Sequence, residues 1–144
     1  EPEITFSACF GGPFMVHHPY KYADLPTRKN DRYGVTGWLV NRGWVGGPYG
    51  VGKRISIRNT RALLNAALTG KLDDVNYTRD PVFGFEVPTE CPNVPPEVLS
   101  PSSSWNDKKE YDRRYRDLAM RFKENFGKFT DNTPPEVIEA GPNV

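Results

Sequence analysis

The residues best placed to do chemistry lie in and just after one glycine-rich stretch, Gly43-Trp44-Val45-Gly46-Gly47-Pro48-Tyr49-Gly50-Val51-Gly52. From Gly47 to Lys53 the sequence fills every position but the last of a phosphate-binding loop. That last position requires Ser or Thr, whose hydroxyl ligates magnesium. Arg54 stands there instead. Such a loop must also run into a helix, so that the first backbone N–H groups face the phosphates. Here Lys53-Arg54-Ile55-Ser56-Ile57-Arg58 alternates with period two and reads as a strand, with Arg54, Ser56 and Arg58 on one face and Lys53, Ile55 and Ile57 on the other. The spacing therefore predicts a hairpin or glycine loop rather than a phosphate cradle. Arg54 and Arg58 have a plain reading as solvated strand arginines. They also have a chemical one. A glycine loop, a strand edge with Arg54 and a helix start with Thr60 can converge, the guanidinium lying over a planar base and the hydroxyl reading its edge.

Other reactive residues are less promising. His17 and His18 are adjacent and point in different directions in any regular element, and no His/Cys/Asp cluster has metal-ligand spacing. Cys9 sits in an apolar run and reads as an inert buried thiol. Lys108-Lys109-Glu110-Tyr111-Asp112-Arg113-Arg114-Tyr115-Arg116 interleaves basic and aromatic residues, as nucleic-acid faces do. Its aromatics fall on a helical stripe, however, and acids interrupt its charge, so a solvated amphipathic face is expected. Asn76-Tyr77-Thr78 matches a glycosylation acceptor, a tripeptide common by chance.

The elements that must position these residues can be read in outline. Ile4 to Phe10 predicts a strand stopped by Gly11-Gly12-Pro13. His18-Pro19 opens a helical stretch through Leu25 that Pro26 should break or kink, and Asn30 to Gly34 reads as loop. Val35 to Val40 predicts a short buried strand. After residue 58 a helix is expected, with Asn59 or Thr60 as N-cap, Ala62, Leu63, Ala66 and Ala67 as its apolar stripe, and Gly70 ending it. Prolines 81, 88, 92, 95, 96 and 101 predict an extended connector pinned by Val82, Phe83 and Phe85. Tyr111, Tyr115, Leu118, Phe122 and Phe126 then recur at helical steps, predicting one long amphipathic helix over about 106–126, followed by a short helical turn and a tail. The fold class is mixed α/β.

Composition narrows the classes further. The net charge is +1, which supplies no field to draw nucleic acid or an acidic membrane. No apolar run approaches a membrane span. Two cysteines make no disulfide framework and favour a reducing compartment. Only 37% of residues are hydrophobic, with 13 Gly and 14 Pro, so the chain is turn-rich and short of core formers. Its opening, Glu1-Pro2-Glu3-Ile4, reads as a start in the middle of something larger.

Several segments together carry a family resemblance. They are Phe6-Ser7-Ala8-Cys9-Phe10-Gly11, His18-Pro19 with Tyr22-Ala23, Trp38-Leu39-Val40-Asn41 with Gly43-Trp44, Gly52-Lys53-Arg54-Ile55-Ser56-Ile57, Thr60-Arg61 and Ala140-Gly141-Pro142. In this order the chain resembles the C-terminal end of ATP-dependent phosphoenolpyruvate carboxykinase. The resemblance runs over residues 1–144 and covers a minor, C-terminal part of a family member. Arg42 stands where the family usually has Thr, Pro26 where a helix continues, and residues 27–33 match poorly.

The resemblance implies that residues 1–144 are the C-terminal segment of the nucleotide-binding, catalytic domain, incomplete as a stand-alone domain. It implies a cytoplasmic carboxy-lyase that turns oxaloacetate and ATP into phosphoenolpyruvate, carbon dioxide and ADP in gluconeogenesis, with Mg2+ and Mn2+ bound outside this segment. Arg54 and Ile55 match the family's nucleotide-contacting pair and Thr60 its nucleotide-contacting threonine. Its own phosphate loop, metal ligands and oxaloacetate-binding arginine lie upstream, so no catalytic residue is expected here and the segment alone should be inactive. A mobile lid precedes the segment matching Glu1-Pro2 in the family, which suggests a fragment bounded by that lid. The missing upstream part is the expected partner, with neither nucleic acid nor membrane. The apolar faces, Tyr111 to Phe129 above all, need cover from outside the chain, and marginal stability in isolation is expected. The alternative is a non-catalytic module binding nucleotide or nucleic acid.

Overall fold

A computed structural model describes residues 3–8 and 11–144. It is mixed helix and strand. In chain order the elements are α1 (Pro19–Tyr33), β1 (Trp44–Val45), β2 (Lys53–Arg54), α2 (Ile57–Leu68), β3 (Tyr77–Arg79), β4 (Glu86–Pro88), α3 (Pro96–Leu99), α4 (Lys108–Phe126) and α5 (Pro135–Glu139). Three short 3-10 turns fall at Gly12–Phe14, Pro101–Ser104 and Gly127–Asn132. The strands form two separate antiparallel hairpins, β1 with β2 and β3 with β4.

Two helices follow the sequence closely. In α2, Ala66 is buried in a cluster with Leu72, Cys91 and Val94, and Ala62, Leu63 and Ala67 pack against it. The helix stops at Leu68, and Gly70 takes the left-handed conformation (φ +70°) that glycine enters without a Cβ penalty. Helix α4 begins at Asp107, whose carboxylate accepts from the Lys109 and Glu110 amides at 2.9 and 3.0 Å. Its stripe carries a chain of rings. Trp105 meets Tyr111, Tyr111 stacks on Tyr115, and Phe83 meets both Tyr115 and Phe122. The short helix α5 matches the helical turn expected near the C-terminus.

Other segments depart from expectation, each for a physical reason. Helix α1 runs straight through Pro26 to Tyr33, absorbing the expected loop at 30–33, and Gly34 caps it. Proline removes one helical N–H, but α1 buries no residue, so water can take the freed carbonyl. Its N-cap is His18, whose Nδ1 accepts from the Tyr20 amide at 3.3 Å. Residues 4–8 form no strand, and Cys9 and Phe10 lie outside the described residues. Val35 to Val40 is exposed and unpaired in any ladder. A strand needs a neighbour's N–H and C=O groups, and among the described residues both hairpins are two-stranded.

The expected strand 53–58 is cut to Lys53–Arg54. Ser56 ends it, because its side chain accepts from the Asn59 amide at 3.1 Å and caps α2. Ser56, not Asn59 or Thr60, is therefore the N-cap, and Arg58 sits on a helix rather than beside Arg54 on a strand face. The proline-rich connector contains the β3–β4 hairpin. Asp80 makes its turn, accepting at Oδ1 from the amides of Val82 (3.0 Å) and Phe83 (2.7 Å) and from the Tyr115 hydroxyl. Val82 is buried and Phe83 half-buried, so the expected pinning holds for those two, whereas Phe85, the third residue expected to pin the stretch, is exposed.

Candidate nucleotide-facing cleft

The β1–β2 hairpin builds the site. Trp44 pairs with Arg54 and Val45 with Lys53, and the Ile55 amide extends the pairing to the Gly43 carbonyl at 3.2 Å. The glycine loop between the strands folds on itself. The amides of Val51 and Gly52 both donate to the Pro48 carbonyl, at 3.1 and 2.8 Å. A Cβ on Gly52 would lie 2.2 Å from the Gly47 carbonyl oxygen, so this close approach requires glycine. The Gly46 amide donates to Ser104 Oγ at 3.1 Å. These amides are spent inside the fold, and the loop ends in a strand. It is a hairpin loop, not a phosphate cradle.

Below the loop opens a cleft of about 410 Å3, lined by Val45, Gly46, Val51, Lys53, Arg54, Ile55, Ser56, Asn59, Val98 and Ser104. Three segments meet there: the hairpin, the start of α2, and the α3 region with the turn after it. Arg54 and Ile55 both line it. The Arg54 guanidinium carbon lies over the Trp44 ring, 5.3 Å from the centroid, and Tyr49 meets the same indole edge-on at 5.4 Å. A cation held beside an apolar wall can engage a planar, electron-rich ring or an anion. Thr60 is placed differently. It is 7% exposed, it does not line the cleft, and its hydroxyl donates to the Ser56 carbonyl at 3.0 Å. It lies directly after Asn59, which does line the cleft.

Sequence reasoning missed Asn59, Val98, Ser104 and the role of Trp44 here. Trp44 had a signal, since a hairpin loop at 46–52 makes it the cross-strand neighbour of Arg54. Ser104 had none, because its bond to Gly46 spans 58 residues of chain.

The remaining reactive residues are structural. His17 and His18 pack against Tyr22 and Phe129. Cys91 is buried and its thiol pKa is pushed up by that burial. In the run 108–116, Glu110 sits between Arg113 (2.7 Å) and Arg114 (2.6 Å), and its hydrogen bonds to them hold its carboxyl down at about 2. The charge is thus partly neutralised along the exposed face. Among the described residues no group of three His, Cys, Asp or Glu could hold a metal ion, and no helix is long and apolar enough to cross a membrane.

Comparison with known proteins gives the family. A model of the family described as phosphoenolpyruvate carboxykinase matches residues 1–97. The phosphoenolpyruvate carboxykinase (ATP) of Thermus thermophilus is 54% identical over 144 residues, covering 100% of this chain and 27% of the relative. That of Alkaliphilus oremlandii is 47% identical over 144 residues, with the same coverage. That of Dictyostelium discoideum is 46% identical over 142 residues, covering 99% of this chain and 25% of the relative. The chain thus spans about a quarter of the length of these curated relatives. With the family model matching residues 1–97 of this chain and whole-chain identities of this size, the chain belongs to the phosphoenolpyruvate carboxykinase (ATP) family.

Proposed function

We propose that this chain forms the base-and-ribose wall of the nucleotide pocket in an ATP-dependent phosphoenolpyruvate carboxykinase, as the C-terminal segment of its nucleotide-binding domain. The whole enzyme would convert oxaloacetate and ATP to phosphoenolpyruvate, carbon dioxide and ADP, serving gluconeogenesis in the cytoplasm. The observation that carries this is the cleft under the glycine loop, where Arg54 is held against Trp44 with Ile55 beside it. Phosphoryl transfer asks a protein chiefly to position groups and neutralise charge. Arg54 supplies a cation toward the nucleotide, and Ile55 an apolar wall. Thr60, the third residue of the proposed contact set, lies buried beside the cleft-lining Asn59 rather than in the cleft, and its hydroxyl donates to the Ser56 carbonyl, so its part in this wall is to hold the start of α2 in place.

Magnesium and manganese belong to the proposed reaction, but the described residues do not fit them, lacking any three-ligand cluster. Their ligands, the phosphate loop and the oxaloacetate site are assigned to the rest of the enzyme. The test is Arg54→Ala in the whole enzyme. Losing a charged hydrogen bond should weaken ATP binding by roughly 1.5–3 kcal/mol, with oxaloacetate affinity preserved. Calorimetric titration giving an unchanged ATP Kd would overturn the assignment.

A further inference from the structure

The Arg54–Trp44 contact joins a cleft-lining cation to a ring that does not line the cleft. Arg54 is exposed at the end of a two-residue strand, and a long side chain there carries large rotamer freedom. Trp44 is its direct cross-strand partner, and the guanidinium lies over the indole. The indole is itself braced edge-on by Tyr49 from the glycine loop. Tyr49 is therefore tied to Arg54 through one ring, and the loop that carries it is fixed at its base by the Gly46–Ser104 bond. Trp44 does not line the cleft. Its indole touches the cation and leaves the nucleotide side to Arg54.

We infer that Trp44 is a positioning residue for the nucleotide pocket. Resting on the proposed nucleotide role of Arg54, it selects the Arg54 rotamer that faces the cleft by a cation–π contact across the hairpin, without touching the ligand. An aromatic face is required, so size alone cannot replace it.

The experiment is a double-mutant cycle in the whole enzyme with ATP as titrant, using Trp44→Leu, Trp44→Phe, Arg54→Ala and the double variant Trp44→Leu/Arg54→Ala. An exposed cation–π contact corresponds to about a two- to fivefold effect. Trp44→Leu should weaken ATP binding by about that factor, leaving the oxaloacetate KM and kcat within twofold. Trp44→Phe, which keeps a ring face, should restore most of the affinity. In the Arg54→Ala background, Trp44→Leu should cost nothing more, because the side chain it positions is gone. Full additivity, or Trp44→Phe behaving like Trp44→Leu, would overturn the positioning role while leaving the nucleotide role of Arg54 intact. An unchanged ATP affinity in Arg54→Ala would instead overturn that role itself. If Trp44→Leu misfolds, the Phe variant alone decides, since ATP affinity within about twofold of wild type is expected of it and any larger loss refutes the inference.

Discussion

Replacing Asp80 should loosen the joint between the second hairpin and α4. One carboxylate oxygen accepts from the Val82 amide at 3.0 Å, the Phe83 amide at 2.7 Å and the Tyr115 hydroxyl. Val82 is 7% exposed and Phe83 packs against Tyr115 and Phe122, so these donors lie at the edge of the apolar ring chain. Asp80→Ala strands them together. A donor left without a partner costs about 1–3 kcal/mol when buried, and less where the turn can open to water. The combined loss should be about 2–4 kcal/mol. Asp80→Asn keeps an acceptor oxygen and gives up only the charge, so about 1 kcal/mol is expected. Tyr115→Phe removes one of the three bonds and should fall near the Asn variant. Urea titration followed by aromatic fluorescence orders the variants, and hydrogen exchange across residues 81–85 localises the effect. Should Asp80→Ala unfold the chain outright, the ranking of Asp80→Asn against Tyr115→Phe still tests the idea. Equal midpoints for wild type and Asp80→Ala, with exchange unchanged at 81–85, would refute the claim that this carboxylate holds the turn.

Ser56→Ala removes the cap of α2 and should lower stability by about 1 kcal/mol, readable as a shifted urea midpoint with the slope unchanged. Tyr115 and Tyr111 both have raised pKa values, first through burial and then through Asp80, by hydrogen bond and charge for Tyr115 and by charge for Tyr111. A folded-state pKa above the unfolded value near 10 means that their contribution is complete below about pH 10 and is lost as pH rises through the folded values. Stability should therefore fall on the alkaline side, and Asp80→Asn should flatten that fall. Tyrosinate absorbance showing every phenol ionising together near its ordinary value would contradict this.

What could be read in the sequence was what depends on near neighbours. The stripe of α2, its end at Gly70, and the long helix over Lys108–Phe126 follow from residues three and four apart, and both helices form where those residues put them. Local signals that compete with each other were misread. Period-two alternation at 53–58 lost to the capping side chain of Ser56. The prolines of 79–101 masked a turn that Asp80-Pro81 and Gly84 do announce, since Asp bonds its own following amides and Gly84 adopts φ +72°. Pro88 closes that hairpin opposite Tyr77, at the end of a two-stranded ladder where proline is tolerated.

The candidate site divides along the same line. Arg54 and Ile55 both line the cleft; Arg54 could be singled out from the glycine loop and the strand edge after it, and Ile55 only through the family resemblance. The opposite wall could not, because Val98 and Ser104 come from the α3 region and the turn after it, far along the chain. This matters for how the cleft works. A hairpin of two-residue strands is too short to hold a side chain rigidly by its ladder alone. The Gly46–Ser104 bond and the Trp44–Arg54–Tyr49 cluster supply the constraints that the ladder lacks. One constraint anchors the base of the loop and the other contacts the guanidinium itself, so removing either one should loosen the placement of Arg54. On the proposed reading, nucleotide affinity depends on the bracing around Arg54 as well as on the arginine itself.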